Sequence, residues 1–190
     1  MIKIITGLRR SGKSFLLKKL FRQHLLDDGI KEDHIIIIDM ESRKNKPFKD
    51  PDYLLDWVEK EMKDDDTYYI IIDEVQEVND FVEVLSTLSV TEGTDVYVTG
   101  SNSRFLSSDV VTEFRGRGDE IHVWPLSFKE FMSVFPWFKG KMRGLNTLCL
   151  GGIFPTTLNS NLGDDKKSDF LRRLYRTVYL RDIYERNALP

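Results

Sequence analysis

Two rhythms of apolar residues alternate along this chain, one suited to strands and one to helices. Ile2 to Thr6 is a short apolar run and reads as a strand. Leu16, Leu17, Leu20, Phe21 and Leu25 then recur at helical spacing, predicting a helix from Gly12 or Lys13 to about Asp27 that Gly29 ends. Ile35 to Asp39 is a continuous apolar strand of the kind that parallel sheets bury on both faces. Glu41 to Lys49 is polar and predicts an exposed loop. Asp50 and Pro51 open the next helix as N-cap and first-turn proline, with Leu54, Leu55, Val58 and Met62 on one face. Asp64, Asp65 and Asp66 lead out of it. Tyr68 to Ile72 is a third strand, ending at Asp73 and Glu74. Asn79 or Asp80 caps a helix running to about Leu88, and Asp95 to Thr99 is a fourth strand leading into Gly100-Ser101-Asn102-Ser103. Arg104 to Phe114 reads as helix, Glu120 to Trp124 as a fifth strand, and Ser127 to Glu130 as a capping box opening another helix. Beyond it lie a turn-rich Gly151 to Pro155, a polar Asn159 to Asp169, and a helical pattern from Phe170 to Arg186.

Strands alternating with helices across short loops predict an α/β fold: a mostly parallel sheet with helices on both faces. Such sheets bind ligands at the carboxyl ends of their strands. Gly7, Asp73, Glu74 and Asn102 each follow the last apolar residue of a strand, so they are expected along that single edge.

Chemistry enters with Gly7 to Ser14. The run reads GLRRSGKS and fits the phosphate-loop pattern G-x-x-x-x-G-K-[ST] at every fixed position, between a strand and a helix as that pattern requires. Glycines let the backbone curl around phosphates, while successive N–H groups and the positive helix end point at the anion. Gly7, Leu8, Arg9, Arg10, Ser11, Gly12, Lys13, Ser14 and Phe15 are therefore the candidate nucleotide-binding residues. Lys13 is expected to reach the β- and γ-phosphates and the Ser14 hydroxyl to sit on Mg²⁺. Arg9 and Arg10 add positive potential without occupying a fixed position. The string from Tyr68 to Glu74 fits a second element, apolar residues followed by an acid. Asp73 would hold Mg²⁺ opposite Ser14, and Glu74, one step on, would orient or deprotonate an attacking water.

Weaker candidates follow. Asn102 is an uncharged donor placed for the γ-phosphate and the lytic water, although Gly-Ser-Asn-Ser equally suits a plain turn, with Ser101 as the fallback. Arg115 and Arg117 occupy a glycine-punctuated loop. A guanidinium supplied across a subunit interface stabilises transition-state charge, while pairing with Glu113 or Asp119 is the surface alternative. Asp64 to Asp66 precede a strand without convergent spacing and read as a solvated turn rather than a metal site.

Composition narrows the class. The chain has 190 residues, 41% hydrophobic and 31% charged, which suits one domain with a real core. A net charge of −3 supplies no global basic field for nucleic acid, leaving only a local patch. The single cysteine, Cys149, sits in an apolar stretch and reads as a buried small hydrophobe. The longest aliphatic run, Ile35 to Ile38, is far short of a membrane span, and since the first strand enters the phosphate loop directly no signal peptide is expected. The expected location is the cytoplasm.

In order, GLRRSGKS, IIIDEVQ, VTGSNSRFLS, FRGRGDEIHVWPLSFKEF and GGIFP cover about Ile4 to Pro155. This series resembles one group of AAA-type ATP-binding proteins of bacteria and archaea, with a P-loop ATPase domain followed by a C-terminal domain of unknown function. The resemblance implies the additional-strand P-loop architecture with strand order 5-1-4-3-2, the strand before Asn102 lying between those of the phosphate loop and of Asp73-Glu74. It implies Lys13 and Ser14 as the Walker A pair, Asp73 and Glu74 as the Walker B pair, Asn102 as sensor, and Arg117 in a Gly-Arg element before the last strand. Family members continue beyond a segment like Tyr179-Leu180-Arg181-Asp182-Ile183, so the chain is expected to be the ATPase half alone. Residues 1–155 would form the P-loop ATPase domain and residues 156–190 a helical tail leading to the absent domain.

The function expected is that of a Mg-ATP-binding ATPase, converting ATP and water to ADP and phosphate and coupling this to conformational change on a protein or nucleic-acid partner. The alternative is a nucleotide-gated switch that hydrolyses slowly. A small-molecule kinase would need an acceptor pocket and an arginine-rich lid, a role that Arg172, Arg173, Arg176, Arg181 and Arg186 imitate. No membrane partner is expected, and the full-length form is a candidate homo-oligomer.

Overall fold

Residues 2–100, 118–134, 169, 171–173 and 175–176 are described by the computed structural model of the chain. Five strands are present among them: β1 (Ile2–Thr6), β2 (Ile35–Asp39), β3 (Tyr68–Asp73), β4 (Thr94–Thr99) and β5 (Gly118–His122). All four pairings are parallel and the order is β2-β3-β4-β1-β5. Read from the other edge this is 5-1-4-3-2, the additional-strand arrangement. Parallel neighbours need crossovers, and helices supply them. The helices are α1, built of Lys13–Phe15, Leu16–Phe21 and Arg22–Asp27, then α2 (Pro51–Glu61), α3 (Phe81–Val90) and α4 (Phe128–Val134).

The chain divides into two compact units, Met1–Thr6 with Lys13–His122, and Gly7–Gly12 with Val123–Pro190. The first holds the sheet and its core. Strand alternation puts Ile2, Ile4, Ile36, Ile38, Tyr68, Ile70, Ile72, Val96 and Val98 on one face, where they cluster with Leu54 and Val58 of α2 and Val84, Leu85 and Leu88 of α3. On the opposite face the Phe21 ring of α1 lies 4.4 Å from that of Tyr97 and 6.5 Å from that of Tyr69. Helices thus cover both faces, which explains why β2 and β3 read as unbroken apolar runs. In the second unit, Ser127 and Glu130 form the expected capping box: the Ser127 N–H donates to Glu130 Oε2 at 2.8 Å, and the Glu130 N–H to Ser127 Oγ at 3.2 Å.

Other local signals act as read. Gly29, at φ +89°, closes α1 with its N–H on the Leu26 carbonyl and the Ile30 N–H on that of Leu25, both 3.0 Å. Asp50 Oδ1 accepts from the Tyr53 N–H at 2.9 Å, capping α2. Four details differ. Leu16–Phe21 is π-helical, and the wider turn rotates Leu20 out of the apolar stripe, leaving it 55% exposed. Arg43–Lys49, expected as loop, is a 3-10 helix anchored by Phe48, whose ring packs 4.8 Å from Trp57 and 5.6 Å from Tyr53. Asp80 precedes α3 but makes no side-chain cap, because its φ of 46° is left-handed rather than extended. β5 starts and ends two residues earlier than the apolar pattern suggested. Its bounds follow the ladder with β1, Gly118 opposite Ile2 through His122 opposite Thr6, and as an edge strand with mostly exposed side chains it carries little hydrophobic signal. Asp64 to Asp66 form an exposed turn, with Asp64 bound to His34.

Candidate functional site

All five strands run the same way, so their last residues share one edge. Asp39 of β2 is in register with Asp73 of β3, and Thr99 ends β4 beside them. Each buried polar side chain at this edge needs a hydrogen-bond partner.

Asp73 is the hub. Its carboxylate is only 3% exposed and is met by three side chains, two from α1 and one from β4. Ser14 Oγ, at the start of α1, donates to Oδ1 at 2.8 Å; Thr99 Oγ1 donates to the same oxygen at 2.6 Å; Lys18 Nζ lies 2.7 Å from Oδ2. Lys18 also donates to Asp39 Oδ2 at 2.8 Å. Burial opposes the Lys18 charge, but the bonds to Asp39 and Asp73 outweigh it and hold its pKa above the ordinary lysine value. Ser14 and Asp73, 59 residues apart in sequence, are therefore in direct contact.

Glu74 is held just as firmly. Its backbone is left-handed, φ 58°, an uncommon state for a residue with a side chain. Its N–H donates to Thr99 Oγ1 at 2.9 Å, so one buried hydroxyl positions both acids. Gln76 Nε2 donates to Glu74 Oε2 at 2.5 Å. Glu74 is buried, at 9% exposure, and so is the Lys13 side chain at the start of α1.

The loop Gly7–Gly12 has its own geometry. Gly7 (φ +136°), Arg10 (φ +67°) and Gly12 (φ +108°) all have positive φ, so the backbone turns as a phosphate-cradling loop must. A Cβ at Gly7 would lie 2.3 Å from the Val123 carbonyl oxygen, so only glycine fits. Ser11 Oγ is buried without a hydrogen-bond partner among the described residues. Leu8, Arg9 and Arg10 are exposed, and so is Phe15, at 62%. Asn102, Arg115 and Arg117 lie outside the described residues, as does Cys149.

Thr99, Lys18, Asp39 and Gln76 were not singled out from sequence. A faint signal existed for Asp39: Ile35–Asp39 and Tyr68–Asp73 both read as apolar strands ending in an aspartate. Lys18 stands four residues after Ser14, one helical turn on. Thr99 carries no such mark.

Comparison with known proteins places the chain. A family model described as an AAA domain matches residues 1–132. An uncharacterized protein of Haemophilus influenzae is 38% identical over 132 residues, covering 69% of this chain and 33% of that protein. An uncharacterized protein of Methanocaldococcus jannaschii is 28% identical over 205 residues, covering 99% of this chain and 43% of its own length. The chain thus spans under half the length of these curated relatives. Among solved structures, Caenorhabditis elegans PCH-2 superposes with a TM-score of 0.51 at 14% identity, covering 92% of this chain and 55% of PCH-2. The Aeropyrum pernix ORC2 protein, solved in ADPNP–ADP complexes, gives 0.50 at 11% identity, covering 94% of this chain and 64% of that one. At such identities these two show the shared fold.

Proposed function

Because the chain belongs to the AAA-domain family, a family of nucleotide-binding ATPase domains, we propose that it binds Mg-ATP and hydrolyses it to ADP and phosphate. One observation carries the reading furthest: Ser14 Oγ and Asp73 Oδ1 meet at 2.8 Å, although they come from separate motifs. The donor set fits the ligand. The Gly7–Gly12 loop has left-handed turns, a glycine whose Cβ would clash, and a buried Ser11 hydroxyl with no hydrogen-bond partner among the described residues. Hydroxyl and carboxylate oxygens at Ser14 and Asp73 suit a hard cation such as Mg²⁺. When bound, that ion would neutralise charge on the β- and γ-phosphates.

In this reading Gly7 to Phe15 hold the nucleotide, Lys13 pairs with its terminal phosphates, and Ser14 and Asp73 hold the metal. Glu74 accepts the proton of the attacking water, Thr99 keeping it at the edge. Asn102 is retained as sensor and Arg117 as an arginine acting across a subunit interface. Residues 1–155 form the ATPase domain and 156–190 a tail toward a further domain. Hydrolysis is coupled to a protein or nucleic-acid partner in a cytoplasmic, self-associating full-length protein. No helix among the described residues is long and apolar enough to cross a membrane. The slow-switch reading draws on Gln76, whose bond to Glu74 ties up the carboxylate that must act as base.

The test uses two variants. Lys13→Ala is expected to lower ATP affinity by about tenfold or more, since a charge-assisted contact contributes about 1.5–3 kcal/mol. Glu74→Gln is expected to bind Mg-ATP as the parent does and to lose turnover. Unchanged ATP affinity in Lys13→Ala by calorimetry would overturn the assignment of the phosphate loop, and parental turnover in Glu74→Gln that of the base.

A further inference from the structure

Asp39 and Asp73 are direct register partners on neighbouring parallel strands, whose backbones lie about 4.8 Å apart, and both carboxylates reach the same ammonium. Like charges directly opposite on a sheet destabilise it. The structure resolves the conflict with an ammonium: Lys18 Nζ sits 2.8 Å from Asp39 Oδ2 and 2.7 Å from Asp73 Oδ2, spending one donor on each. Lys18 reaches there from α1, within the turn that follows Ser14. Asp73 Oδ1 is meanwhile taken by the Ser14 and Thr99 hydroxyls. Lys18 thus occupies the one oxygen of Asp73 that those hydroxyls leave.

Without Lys18, Asp39 and Asp73 would carry two negative charges and a pair of facing oxygens, a donor set matched to a hard divalent cation. We propose that Lys18 is a resident cation that keeps this pair from binding a divalent metal by itself, so that metal enters the site only together with nucleotide, on the Ser14 side. The inference rests on the proposed Mg-ATP reading for its consequence, but its geometry belongs to the chain alone. It makes Lys18 a positioning residue, coupling metal occupancy to nucleotide occupancy. An uncoupled metal would draw Asp73 toward Asp39, away from the position in which it meets Ser14.

The experiment is nucleotide-free metal binding by the 190-residue chain, with Mn²⁺ as probe, read by electron paramagnetic resonance and calorimetry. The parent is expected to show no specific Mn²⁺ site up to millimolar metal. Lys18→Met is expected to gain one, at least tenfold tighter than any parental binding, and Lys18→Met with Asp39→Asn to lose it again. Lys18→Gln keeps a donor but not the charge, so it reads the same question if Lys18→Met does not fold; circular dichroism checks each variant. The proposal is overturned if the folded variant binds Mn²⁺ no better than the parent, or if the gain survives Asp39→Asn. A parent that fails to bind Mg-ATP would overturn the functional reading instead, and the Mn²⁺ result would still stand.

Discussion

Removing the Thr99 hydroxyl is the sharpest test of how the edge is held together. Thr99 is fully buried; its Oγ1 donates to Asp73 Oδ1 at 2.6 Å and accepts the Glu74 N–H at 2.9 Å. Thr99→Val keeps the shape and replaces the hydroxyl with a methyl group. A hydrogen bond to a charged group contributes about 1.5–3 kcal/mol, and a buried N–H left without an acceptor costs about 1–3 kcal/mol. These do not add in full, because Asp73 keeps Ser14 and Lys18. A loss of about 2–4 kcal/mol is expected. At about 2–4 °C per kcal/mol for a chain this long, the melting temperature should fall by roughly 4–16 °C. Glu74 is also expected to leave its left-handed conformation, a state that persists only where surroundings over-determine it. Thr99→Ser keeps the oxygen and loses one methyl group, at about 1 kcal/mol. The assay is calorimetric melting of parent, Val and Ser variants at pH 7. Parental stability in Thr99→Val, or equal damage in Val and Ser, would refute the argument that the hydroxyl organises both acids.

Two further outcomes follow from the geometry. Gly7→Ala places a Cβ 2.3 Å from the Val123 carbonyl oxygen at a φ of +136°, so it should lower the melting temperature and abolish ATP binding; a variant that melts and binds like the parent would contradict the loop geometry. His34, buried and stacked 4.5 Å from Tyr68, faces Asp33 on Nδ1 and Asp64 on Nε2, each at 3.0 Å, with Asp66 at 3.8 Å and Lys31 beyond it. Both nearest partners are acceptors, so only the imidazolium donates to each. The bond to Asp64 is the main cause raising the His34 pKa above 6.5, and the bond to His34 lowers that of Asp64 below 3.8. The His34 contribution is thus complete below pH 6.5 and lost as pH rises through its folded pKa; that of Asp64 is present above 3.8 and lost as pH falls through its own. Denaturant midpoints measured across pH should decline on the alkaline side in the parent and not in His34→Gln; matching profiles would remove His34 from the account.

What the chain's order of residues determined by itself was everything local. Short unbroken apolar runs marked β1, β2 and β3 to the residue or nearly so, because each is a strand that buries both faces. Gly29, Asp50 and the Ser127–Glu130 box signalled helix ends, because caps act within a turn. GLRRSGKS marked a tightly curled loop, with Gly7 and Gly12 at positive φ, because glycine spacing is itself a backbone signal. Tertiary structure alone decided the rest. The bounds of β5 came from pairing with β1, and no hydrophobic period records a partner's register. Leu20 turned outward because α1 widens. The network around Asp73 was hidden for the same reason: Lys18 meets Asp39 across 21 residues, and Thr99 meets Asp73 across 26. Each of these side chains is unremarkable where it stands in the sequence. Only a sheet that places β4 beside β3 and α1 over their ends brings a lysine, a threonine and two aspartates within bonding distance, and that is settled by the packing of whole elements.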